Sequence, residues 1–179
     1  MKNRLFLLLF LVGVFGNAQS ESTKTKLTEI NAQVAKETAK YKDSLTNAGG
    51  SYAQPLDIEF KTDVYNIEKL ADKKIEVDYS TAGMTNVVFE LNNNYDKLLN
   101  KYYSILLNKL SVKDQEQLKV SQRNWLKFRD SEIELIGVIS KEEYTGGGTI
   151  QSNIRASQIC DLTKNRLFEI KEHLSQFLD

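Results

Sequence analysis

Side chains suited to bond-making chemistry are scarce in this chain. Cys160 is the one cysteine and His173 the one histidine among 179 residues. A zinc site needs several His or Cys ligands at close spacing, and neither residue has that company. A Ser-His-Asp arrangement would have to run through His173, which stands among Lys171, Glu172 and Ser175. No nucleophile-elbow motif accompanies it, so His173 reads as a polar surface residue. The run Gly146-Gly147-Gly148 resembles a phosphate cradle only in its glycines. It lacks the Gly-Lys-Ser/Thr ending and the preceding strand that make such loops hold phosphate. It is read as a flexible connection between helices. No paired acid and base, cofactor motif or metal set emerges, which points to binding rather than catalysis.

Charge sets further bounds. Lys plus Arg and Asp plus Glu both number 24, so no overall field draws in nucleic acid or an anionic membrane. Lys2 and Arg4 precede an apolar run from Leu5 to Phe15, and Gly16-Asn17-Ala18 follows with small residues three and one positions before a cut. The run is too short to span a bilayer, for which roughly 20 apolar residues are needed. Residues 1–18 are therefore expected to be a signal peptide, and the mature chain periplasmic or secreted with no membrane anchor. Losing Lys2 and Arg4 leaves two more acids than bases. A lone cysteine permits no internal disulfide, and Cys160 is expected to be an inert core thiol, with a disulfide to a second chain as the alternative and no His or Lys beside it to favour a thiolate.

The elements that would position these residues are helices. Pro55 is the only proline, and glycines cluster at positions 49–50, 83 and 146–148, so long periodic stretches are rarely interrupted. Leu27, Ile30, Val34, Tyr41 and Leu45 form one stripe of an amphipathic helix over residues 19–50. Residues 51–79 read as a connecting segment, extended near Tyr52 to Leu56 and able to be helical from Ile58 to Ala71. A helix follows from Ser80-Thr81 to Leu110, where the triplet Asn92-Asn93-Asn94 is poor helix-forming sequence and a candidate kink. Ser111 with Asp114 three residues on signals a helix start, and this helix is expected to reach Glu143-Tyr144-Thr145. The last runs from Thr149 to Phe177, with Cys160, Thr163, Leu167, Ile170, Leu174 and Phe177 on a packing seam. The fold class is all-α: an antiparallel bundle of three to four long helices with an additional N-terminal helix.

Within the penultimate helix, Trp125, Phe128 and Arg129 fall on nearly one face. A guanidinium beside aromatic rings suits either a clamp between helices or a partner surface; the clamp is favoured, with Asp96, Asp130 and Asp161 as candidate acceptors.

Three separated signatures then carry a family resemblance. Ser80-Thr81-Ala82-Gly83-Met84-Thr85-Asn86 leads to Asp96, Leu99, Asn100 and Tyr103; Gln122, Arg123, Trp125, Phe128, Arg129 and Asp130 follow; Ile159, Cys160, Leu162, Thr163 and Arg166 complete the set. In this order the chain, over Ser80 to Leu174, resembles the LprI-like lysozyme inhibitors. The resemblance implies a helical cell-envelope domain with lysozyme binding as its best-known activity. Family members commonly carry cysteines where this chain has Val87 and Ile133, so packing must replace cross-links that typically stabilise small exported domains by about 2–5 kcal/mol. The signature residues, Asn100, Tyr103, Gln122, Arg129, Asp130, Thr163 and Arg166 among them, are read as a polar network that sets how helices pack. The partner surface is then expected elsewhere, first on the loop with Lys141, Tyr144, Gly146, Gly147 and Gly148. The functional expectation is an exported binding protein whose partner is a protein, a lysozyme in the family's manner. Its rival is an envelope interaction or structural module, a homodimer included, assembled through the N-terminal helix.

Overall fold

The computed structural model describes residues 3–49 and 54–177, with side chains from residue 24 onward. The side chains of the expected signal peptide, residues 1–18, thus lie outside the described residues. Six helices follow one another among them: α1 (Asn3–Gly49), α2 (Pro55–Ile75), α3 (Thr81–Lys109), α4 (Val112–Ile139), α5 (Glu142–Thr145) and α6 (Ile150–Leu174). No described helix is long and apolar enough to cross a membrane. The all-α reading holds.

Local chemistry explains the boundaries. Pro55 opens α2, where a missing amide hydrogen costs nothing, and Lys73 and Lys74 near its end complement the helix dipole. At α3, Ser80 Oγ accepts from the Gly83 amide at 3.0 Å while Asp78 Oδ1 accepts from the Ser80 amide at 2.9 Å. Gly83 is required there, because an added Cβ would sit 2.3 Å from the Asp78 carboxyl carbon and 2.7 Å from its backbone oxygen. Ser111 caps α4 as expected, accepting from the Asp114 amide at 3.3 Å. The asparagine triplet leaves α3 unbroken. α4 stops at Ile139 rather than at Thr145: Ser140 caps it, and residues 142–145 form the separate turn α5.

Sequential long helices run antiparallel, which leaves α3 and α6 parallel. Thr85 meets Ser152, Lys164 lies over the Tyr95 ring, and Lys109 over Phe177. This pair has the most extensive interface among the described residues. Tyr95, Leu99, Tyr102 and Leu106 from α3 bury against Cys160, Leu167, Ile170 and Leu174 from α6, and α2 closes the core with Phe60, Val64 and Ile67. Phe60 meets both Tyr102 and Phe168 edge to face, an arrangement the ring quadrupoles favour. Around this core, α2 is pinned by charge: Lys101 bridges Glu59 and Asp63, Lys164 meets Glu68, and Lys171 meets Asp57. Residues 55–75, whose layout the sequence left open, are therefore a core helix.

The stripe on α1 packs against α2. Val34 is buried, Tyr41 stacks on Tyr65 at 4.3 Å, and Thr38 donates to Asn66. The apolar face that motivated an intermolecular pairing is thus covered within the chain.

Candidate protein-binding end of the bundle

α4 is the least supported long helix. Its 28 residues span about 42 Å at 1.5 Å per residue, yet Leu118 is its one buried residue among those described. What fastens it is Arg166 of α6, only 7% exposed. Its Nε donates to Gln122 Oε1 and its Nη2 to Ser121 Oγ, both at 3.1 Å, while Nη1 donates to Glu169 Oε2 at 2.9 Å. The guanidinium lies 5.9 Å from the half-buried Trp125 ring, near enough for a cation–π contact.

The expected clamp, Arg129, is corrected by this geometry. Arg129 bonds the carboxylate of Asp130, its neighbour on α4, and lies over Trp125. Neither Asp96 nor Asp161 receives it. Adjacent residues point too far apart around a helix to leave Arg129 aimed both at Asp130 and across to α6. Phe128 is 52% exposed and shares no buried face with Trp125. Asn100 bonds Asp96, one turn back on α3. Leu99, Cys160 and Thr163 are buried in the core, and Tyr103 packs against it. Of the expected polar network, the bond that crosses between helices is the one from Arg166 to Gln122.

Cys160 is buried as a free thiol. Burial pushes it up to about 11, aided by Asp161 and opposed by Lys164 one turn on. The lysine that sequence reading overlooked does face it, but desolvation wins. Burial also hides its sulfur from a second chain. His173 is exposed.

Past α4 the chain turns through α5. Gly146, in the left-handed region at φ 75°, closes α5 by donating its amide to Glu142 O at 2.8 Å. Gly147 and Gly148 continue at φ 76° and 94°, so the run has a defined left-handed course that side chains would oppose. Lys141, 3.9 Å from Glu143, and Tyr144 both project into solvent. This loop stands where α2 ends and α3 and α6 begin, since Thr85 and Ser152 touch near the starts of their helices. Most of the large apolar side chains that stay exposed gather here: Val77 and Tyr79 before α3, Leu135, Val138 and Ile139 at the end of α4, Tyr144 on α5, Ile150 and Ile154 on α6. Tyr79 and Tyr144 are two-thirds exposed. The same segments carry exposed acids, Glu76, Asp78, Glu134, Glu142 and Glu143, along with Lys141 and Arg155.

The model of one protein family, "Lysozyme inhibitor LprI", matches residues 71–170, more than half of the chain. The chain belongs to the LprI lysozyme-inhibitor family. No curated protein and no solved structure matches it. The LprI match takes in α3, α4, α5 and most of α6, with the last turn of α2. It therefore includes both the Arg166 fastening and the apolar end, whereas α1 and most of α2 lie outside it. The sequence signatures found the family but not the charged contacts of α2, because a helix without an assigned position offers no partners to predict.

Proposed function

We propose that this LprI-family chain is an exported binding protein that inhibits a lysozyme by surface contact, through the end of the bundle formed by α5, the glycine run and the neighbouring helix ends. One observation carries the reading: most of the large apolar side chains exposed among the described residues belong to segments at that end. Contiguous exposed apolar surface rimmed by polar groups is characteristic of partner sites. Aromatic residues such as Tyr79 and Tyr144 supply contact area at low entropic cost.

In the inhibitory complex the loop enters the cleft of the muramidase. Glycosidases of this type act through a pair of carboxyl groups, and Lys141 Nζ and the Tyr144 hydroxyl are the donors placed to meet them. Occlusion requires no bond-making by this chain, in keeping with an inhibitor family.

A turbidity assay with the mature protein and a lysozyme tests this. Inhibition is expected, and Tyr144→Ala combined with Lys141→Ala should weaken it at least about tenfold, the loss typical of an interface hot spot. Both residues are exposed, so circular dichroism should stay unchanged. Undiminished lysis at a micromolar excess of the wild-type protein removes the inhibitor reading.

A further inference from the structure

A separate concavity, sharing no residue with that apolar end, lies where α2, α3 and α6 meet. It is a cleft of about 290 Å³, close to the lower bound for small-molecule sites. Ala71, Ile75, Val87, Val88 and Leu91 make its apolar wall, and the buried Cys160 contributes to the lining. The thiol is neutral at physiological pH, since burial raises it, and so extends the uncharged surface.

The remaining groups are Glu68, Asp72, Tyr95, Asp161 and Lys164. Glu68 is already satisfied, accepting from Lys164 Nζ at 2.8 Å and from the Tyr95 hydroxyl. Asp72 and Asp161 are exposed, and no hydrogen bond or ion pair to either carboxylate forms within the described residues. Three acids and one lysine line the cleft, so its lining carries a net negative charge. An anion would be repelled, and a wholly apolar guest would strip water from carboxylates with nothing in return. Among the described residues no group of three His, Cys, Asp or Glu could hold a metal ion, and an apolar wall offers nothing to a hydrated one.

We propose that this cleft binds a small organic cation of the alkylammonium class, its chain along Ile75, Val87, Val88 and Leu91 and its charged head at the carboxylates of Asp72 and Asp161. The wall supplies burial for the chain, and the two exposed carboxylates add a modest, solvent-screened attraction for the head.

The test uses the mature protein labelled with ¹⁵N and titrated with n-hexylammonium chloride, n-hexanol and sodium hexanoate. Saturable amide shifts at Ala71, Val87, Val88 and Leu91 are expected with the ammonium, with a dissociation constant of about 0.1–10 mM. Hexanoate should give none, and hexanol should bind at least about fivefold more weakly. The double variant Asp72→Asn, Asp161→Asn, which alters exposed side chains only, should weaken ammonium binding about tenfold and remove the preference over hexanol. Absence of saturable shifts at the cleft up to about 100 mM overturns the proposal. Equal binding of hexanol, or an unweakened double variant, does so as well. Lysis inhibition enters none of these readouts, so the outcome is independent of the proposed function.

Discussion

Arg166 shows how one side chain sets the position of a helix. Its donors are met by Gln122, Ser121 and Glu169, so removing the guanidinium leaves partners on α4 without a bond as well as a void beside Trp125. Arg166→Ala should cost about 2–3 kcal/mol in urea unfolding, whereas Arg129→Ala, which loses a pair on one helix surface, should cost under about 1 kcal/mol. Equal losses would mean that α4 is not held through α6. Two glycines offer a second contrast. An alanine methyl at Gly83 meets the Asp78 carboxyl and backbone, while at Gly137, inside α4, it meets nothing within 4 Å. Gly83→Ala should destabilise by about 1–3 kcal/mol, and Gly137→Ala should stabilise by about 0.5–1 kcal/mol through helix propensity. Thermal melts of the two variants shifting in the same direction would contradict this account of α3's tight start.

At the scale of elements, α2 joins the bundle through both its apolar stripe and its acids. Burial of Glu68 favours the neutral acid, but hydrogen bonds from Lys164 and Tyr95 and the charge of Lys164 outweigh it and hold the carboxyl below its ordinary value. A carboxyl depressed by folding stabilises above its unfolded value, 4.5, and that contribution is lost as pH falls through the lower folded value. Urea midpoints should therefore drop more steeply below about pH 4.5 in the wild type than in Glu68→Gln, whose uncharged amide has no such titration. Parallel pH profiles for the two would show that this contact does not link α2 to α3 and α6. Tyr95, pushed strongly upward by burial and by Glu68, stays a hydrogen-bond donor across this range.

At the scale of the molecule, a core built by α2, α3 and α6 carries α1 on one flank and α4 on another. Because α1 covers Tyr65 and Asn66 on α2, deleting residues 19–48 should lower the melting temperature by about 5 °C or more while solution mass falls only by the part removed. An unchanged melt with a halved assembly mass in the truncated protein would instead make α1 an assembly element. Much of this architecture is legible in the amino-acid order. The three-and-four spacing from Cys160 to Leu174 dictates a buried helix face, Ser80 and Ser111 announce helix starts, and the separated signatures name the family, because each rests on residues within a few turns of one another. What only the tertiary structure decided is which faces meet. Spacing could not tell that Arg166 rather than Arg129 reaches across to a neighbouring helix, nor that α6 lies chiefly along α3 instead of α4. Nor could it show that scattered apolar residues from Val77 to Ile154 share one end, since such neighbours are set by packing between segments far apart in the chain.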